Sequence, residues 1–173
     1  MKTTIVTTIF LTAASLAMAQ TTPQVGAVAP AVTLPSDDGR QVSLNDYKGK
    51  WVVLYFYPKD FTSGCTLEAQ NFQRDLAKYQ NASAIILGVS VDNAESHKNF
   101  CAKEGLNFKL LADTDAKVSE AYGSAENDDG KKWSARNTFI ISPEGKIARV
   151  FTKVNPKIHS EEVLQALAEL KKS

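Results

Sequence analysis

The sequence predicts an α/β fold. Two apolar runs carry that reading, Trp51 to Tyr57 and Ala84 to Val91, each short enough for a strand and apolar enough to be covered on both faces. Between them, apolar residues recur at helical spacing, so strand, helix and strand form a βαβ unit with a parallel strand pair. The third observation is the end of the chain, where a hairpin of short strands precedes an amphipathic helix.

Taken in order, the elements begin after a separate N-terminal segment. Met1-Lys2, the mostly apolar Ile5 to Ala17 and the small-x-small Ala17-Met18-Ala19 have the form of a secretory signal peptide, residues 1–19. Its apolar run is too short to span a bilayer comfortably. Residues 20–24 make a short linker into one domain, 25–173. Such a leader implies a periplasmic address, where disulfides persist. Ala31 to Leu34 and Gln41 to Leu44 flank a turn with Asp38-Gly39 and read as an N-terminal β-hairpin. Asn45 to Lys50 is a polar connection into the Trp51 strand. Pro58 stops that strand, a loop follows, and Thr62 or Ser63 caps one helix over about Cys65 to Tyr79. After the Ala84 strand, Asp92 or Asn93 caps a helix over about 94–104, ended by Gly105. Residues 108–111 form a short extended piece, and Asp113 or Thr114 opens a helix to about Tyr122. Polar residues 124–132 read as a loop. Asn137 to Ile141 and Lys146 to Val154 pair across Ser142-Pro143-Glu144-Gly145. His159 or Ser160 starts the last helix, with Val163, Leu164, Leu167 and Leu170 on one face. A βαβ core closed by a hairpin and a helix is thioredoxin-like, although the residues themselves do not order the strands.

The 173 residues, 43% hydrophobic and 23% charged, suit one globular domain. Without residues 1–19 the 20 basic residues fall by Lys2 to 19, against 19 acidic ones, so the net charge moves from +1 to about zero. That balance argues against nucleic acid or an anionic membrane as the main partner. Two cysteines, Cys65 and Cys101, fit one intramolecular bridge, permanent or cycling.

Cys65 falls in the first turn of the first long helix. Residues 65, 69, 72 and 76 share a face, which turns the sulfur toward the protein. Unpaired N–H groups and the helix dipole favour an anion there, so the thiol loses its proton more readily and becomes a nucleophile. Thr62 puts a hydroxyl beside the sulfur, and Pro58, which has no N–H, shields one side of a small cup. On these residues alone, Cys65 is either an activated nucleophile or half of a structural disulfide.

The pattern Pro58-x-x-x-Thr62-x-x-Cys65 is more specific. It resembles the active-site signature of the peroxiredoxins in every fixed position. The run Tyr55-Phe56-Tyr57-Pro58-Lys59-Asp60-Phe61-Thr62-Ser63-Gly64-Cys65-Thr66-Leu67-Glu68 is similar to the Q-type branch, the bacterioferritin comigratory proteins. The resemblance extends from about Val25 to Leu170. It implies a central mixed sheet flanked by helices and reduction of hydrogen peroxide or alkyl hydroperoxides through a Cys65 sulfenic acid. It also implies reduction by a thioredoxin- or glutaredoxin-like protein; the chain is expected to be monomeric or weakly associated and to need no cofactor or metal. Many Q-type members place a resolving cysteine five residues after the first. Here Gln70 stands there, and the chain resembles the sub-branch whose resolving cysteine, Cys101 in this sequence, lies on the later helix. The family's active-site arginine precedes a Thr-Phe-x-Ile strand, which implies Arg136, with Arg149 in reserve. Glu68 then orients the guanidinium through a bidentate pair.

The other titratable residues read more plainly. His97 is a surface helix residue, one turn before Cys101, and His159 a helix-start residue. Asp113-x-Asp115 and Asp128-Asp129 lack the spacing of a calcium loop. Two rival functions remain on the same fold. A thiol–disulfide oxidoreductase uses C-x-x-C, and neither position 62 nor position 68 is cysteine. A copper chaperone needs closely spaced soft ligands, which the sequence lacks.

Overall fold

A computed structural model describes residues 21–172; the signal-peptide reading lies outside them. The N-terminal hairpin is β1 (Thr33–Pro35) and β2 (Gln41–Ser43), with Gly39 at φ 79° in its turn. A short 3-10 turn, Leu44–Tyr47, leads to the central strand β3 (Trp51–Phe56). Next come α1 (Ser63–Arg74), α2 (Leu76–Asn81) and β4 (Ala84–Ser90). Then α3 (Ala94–Glu104) is capped by the Asn93 side chain and ended by Gly105 in the left-handed region. The chain continues through β5 (Lys109–Ala112), α4 (Lys117–Ala121), β6 (Ala125–Asp128) and β7 (Lys131–Ser134). It closes with β8 (Thr138–Ile141), β9 (Ile147–Phe151) and α5 (His159–Leu170).

Five strands form the main sheet in the order β5-β4-β3-β8-β9. β3 runs parallel to β4 and antiparallel to β8, and β4 is parallel to β5, so the sheet is mixed. Alternate residues of β3 serve opposite faces. Val53 and Tyr55, with Tyr57 just beyond the strand, pack with Phe72, Tyr79, Phe100, Val163 and Leu167 of the four larger helices. Val52, Leu54 and Phe56 pack with Val118, Tyr122 and the N-terminal hairpin. Both cysteines belong to the first face. The free edge of β5 is covered by the hairpin: Ser36 bridges to Leu111, Asp37 N–H donates to the Leu110 carbonyl, and Leu110 N–H donates to Asp37 Oδ1.

Three local expectations need correction. The helix expected over 65–79 is two helices meeting at Asp75. Its buried carboxylate accepts hydrogen bonds from Arg74, Lys78 and Ser160 Oγ (2.6, 2.9 and 2.9 Å), which fixes the corner against the start of α5. The helix expected from Asp113 begins at Lys117, because Asp113 reaches forward and accepts from the N–H groups of Val118 and Ser119. The polar loop expected over 124–132 is the β6–β7 hairpin, turning at Asp129 and Gly130, both at positive φ. Its charged side chains are solvated on an exposed ribbon, so the apolar alternation that marks most strands is missing.

Candidate active site

The site sits where β3 ends. Tyr57 N–H makes the last bond to β4, accepting partner Val89, and Pro58, half-buried, breaks the ladder. Phe61 turns the loop at φ 61°, and Thr62 occupies the N-cap position in extended conformation. Thr66 N–H to the Thr62 carbonyl opens α1. Ser63, Gly64 and Cys65 are therefore the first three helical residues, whose N–H groups have no partner inside the helix. Cys65 is 2% exposed and Cys101 is 8% exposed; both are free thiols.

The guanidinium of Arg136 completes the cup. Its Nη2 donates to Cys65 Sγ at 3.3 Å, and its Nη1 donates to Glu68 Oε2. Gly64 makes the approach possible: a Cβ there would stand 3.2 Å from Arg136 Nη2 and 4.0 Å from Pro156 Cγ. The Pro156 loop is tied down by Asn71 of α1, whose Nδ2 donates to the Pro156 carbonyl at 2.9 Å. Arg149, the reserve arginine, lies elsewhere and pairs with Glu169 across β9 and α5.

Burial raises the Glu68 carboxyl to about 7, with Arg136 pulling the other way. The rise fits the geometry, because Glu68 Oε1 is buried without a partner. The bidentate pair expected between Glu68 and Arg136 is thus a single contact; the guanidinium's second nitrogen is given to the sulfur instead. Burial also opposes the charge of Arg136, but Glu68 and Cys65 outweigh it and hold its pKa up. Cys101 has no such support. Burial, then the charges of Asp37 and Asp60, push its thiol up to about 12.

The Thr62 hydroxyl donates to the Lys59 carbonyl at 3.0 Å. Its proton is therefore used in closing the loop, which leaves the hydroxyl oxygen free to accept a hydrogen bond.

Sequence reasoning missed one group entirely. His97, expected at the surface, is completely buried, and its Nδ1 lies 2.9 Å from Asp60 Oδ2. The same carboxylate accepts from Ser96 Oγ (2.7 Å) and Tyr57 Oη (2.7 Å). Periodicity held the signal: His97, Phe100 and Cys101 fall on one helical face. Among the described residues, the buried side-chain polar atoms without a partner are Tyr55 Oη, Glu68 Oε1 and His97 Nε2. Burial, then Glu68, Cys101, Cys65 and Asp60, drive the Tyr55 phenol well above its ordinary value.

The profile of the AhpC/TSA family matches residues 25–150. The chain belongs to the AhpC/TSA family. It is 41% identical over 153 residues to Peroxiredoxin Bcp of Bacillus subtilis, covering 86% of this chain and 98% of that one. A solved structure of the Xanthomonas campestris bacterioferritin comigratory protein is 38% identical, with TM-score 0.77 and coverage of 84% and 98%; its subject is alkyl peroxide reduction and a trapped intermediate/ligand complex. Two Xanthomonas campestris Peroxiredoxin Q mutants, each 40% identical over 80% of this chain and 90% of that one, have TM-scores of 0.74 and 0.75. They carry serine for cysteine at positions 36 apart, the separation of Cys65 and Cys101 (101 minus 65).

Proposed function

We propose that this AhpC/TSA-family chain is a thiol-dependent peroxidase, with Cys65 as nucleophile and Cys101 as resolving thiol. The observation that carries the reading is the contact of Arg136 with both the Cys65 sulfur and Glu68, on a buried helix start. The thiolate's electron pair attacks the terminal peroxide oxygen; an S–O bond forms and the O–O bond breaks. The departing oxygen takes a proton and leaves as water from hydrogen peroxide, or as an alcohol from an alkyl hydroperoxide. Arg136 and the free N–H groups of α1 stabilise the charge that develops on that oxygen. Thr62 Oγ accepts the O–H of the incoming peroxide. Pro58 walls the cup.

Cys65 is then a sulfenic acid. The Cys101 thiol replaces its hydroxyl: an S–S bond forms, the S–O bond breaks, and the thiol proton leaves with the hydroxyl as water. A thioredoxin- or glutaredoxin-like dithiol protein takes the disulfide back to two thiols. The protein acts as a monomer, without cofactor. The signal-peptide sequence directs it to the periplasm, where its reductant must also reside.

The test is mass spectrometry after one equivalent of peroxide. Cys65→Ser should consume none. Cys101→Ser should consume one peroxide per chain, hold a sulfenic acid at Cys65 and stall. Full cycling by Cys101→Ser with the same reductant removes the resolving role. Mature protein beginning at Gln20 in a periplasmic fraction supports export, and an intact Met1 start in the cytoplasm overturns it.

A further inference from the structure

A buried polar clamp joins the loop that presents Cys65 to the helix that carries Cys101. Asp60 lies five residues before Cys65, with its side chain buried. Its two oxygens accept from Tyr57 Oη, Ser96 Oγ and His97 Nδ1, all within 2.7–2.9 Å. A carboxylate only accepts, so the ring proton of His97 sits on Nδ1. The Asp60 backbone N–H adds a bond to Asp92 Oδ2 at 2.9 Å, just before α3. Burial pushes the Asp60 carboxyl up, yet the bonds from His97, Ser96 and Tyr57 outweigh it and keep the group below its ordinary value. Two further contacts lie outside the buried pair: Gln70 Nε2 donates to Glu104 Oε2, and Phe61 packs edge-on against Phe100.

His97 and Cys101 stand four residues apart on the inward face of α3, so whatever holds one holds the turn of the other. Cys101 is seated in an apolar cluster with Tyr55, Phe100, Leu106 and Phe108. In that seat its thiol is protonated and a poor nucleophile. Both thiols are free in this structure, so disulfide formation needs the two sulfurs to close to about 2.05 Å, and the turn that seats Cys101, held at His97, must move to let them meet.

We propose that Asp60 and His97 are positioning residues that restrain the Cys101 turn, so that opening their hydrogen bond sets the rate of disulfide formation. The proposal rests on the reading of Cys101 as the resolving thiol. The mechanism follows directly: a tighter clamp prolongs the life of the Cys65 sulfenic acid and exposes it to a second peroxide, which converts it to sulfinic acid.

The experiment compares wild type, His97→Leu, His97→Asn and Ser96→Ala. One measurement is the rate of Cys65–Cys101 disulfide formation after a single equivalent of hydrogen peroxide, by rapid quench and mass spectrometry. The other is the peroxide concentration at which half of Cys65 becomes sulfinic acid. A buried hydrogen bond to a carboxylate is worth about a factor of ten or more in an opening equilibrium. His97→Leu should raise both quantities by about tenfold. His97→Asn keeps a donor where Nδ1 sits and should return both toward wild type, which a merely structural role would not produce. Ser96→Ala should move both the same way, by a smaller factor. A folded His97→Leu with both quantities unchanged or lowered overturns the clamp. If that variant does not fold, unchanged values in Ser96→Ala overturn it. Failure of the underlying reading looks different: wild type itself would keep a sulfenic acid and form no Cys65–Cys101 disulfide.

Discussion

Arg136 serves two anionic groups with two nitrogens, and a lysine has only one point of charge to offer. Arg136→Lys should therefore keep either the sulfur or Glu68, and the rate of the peroxide step should fall about a hundredfold, measured by stopped-flow fluorescence. Glu68 gives a second prediction. Its carboxyl titrates near 7 because it is buried. As pH falls through that value, Glu68 gains a proton and Arg136 faces Cys65 without a counter-charge. The pH–rate profile of the peroxide step should show an inflection near 7 that Glu68→Gln lacks; an identical inflection in the variant contradicts the assignment. Cys65 and Thr62 were legible in the sequence because a helix start marks itself with caps and turn residues, whereas Arg136 was reached only through the family resemblance. The Asp60–His97 pair was not. A histidine among Glu95, Ser96, Lys98 and Asn99 looks solvated, and the carboxylate that justifies its burial lies 37 residues away.

At the level of elements, the start of α1 depends on a missing side chain. Gly64→Ala adds a methyl group 3.2 Å from Arg136 Nη2, closer than ordinary contact, so the guanidinium must shift by a few tenths of an ångström. Peroxidase activity should drop while the melting temperature stays near wild type, since alanine is the better helix former. The corner between α1 and α2 is the opposite case. Asp75→Ala leaves the Ser160 hydroxyl, buried beside Tyr79, without its acceptor. It should cost about 2–3 kcal/mol in urea unfolding. The carboxylate that makes this corner was visible in the sequence only as one more polar helix residue. The βαβ order, the α3 boundaries and the closing hairpin were legible because each rests on local pattern and turn chemistry. The break at Asp75 rests on α5, more than eighty residues away, and local pattern could not contain it.

Across the whole molecule, two buried ionisable groups pull the stability curve in opposite directions. His159 is buried against Thr138 Oγ1, and burial lowers it from 6.5 to about 4. The unfolded chain binds more protons than the folded one over that interval, so His159 makes stability rise with pH from about 4 to 6.5. Glu68 is raised from 4.5 to about 7. The folded chain then binds more protons, and Glu68 makes stability fall with pH over about 4.5 to 7. Each effect amounts to roughly 3 kcal/mol, so they largely cancel. Urea unfolding of wild type should be nearly flat between about pH 4.5 and 6.5, rising with pH in Glu68→Gln and falling with pH in His159→Asn. Equal curves for all three proteins would show that neither group titrates as placed. The sheet carries its own safeguard at the same scale. Ser36 and Asp37 occupy the outward hydrogen-bonding groups of β5. A chain clipped after residue 40 would bare that strand as a template on which copy after copy could stack, and a well-behaved particle would become a polymer seed.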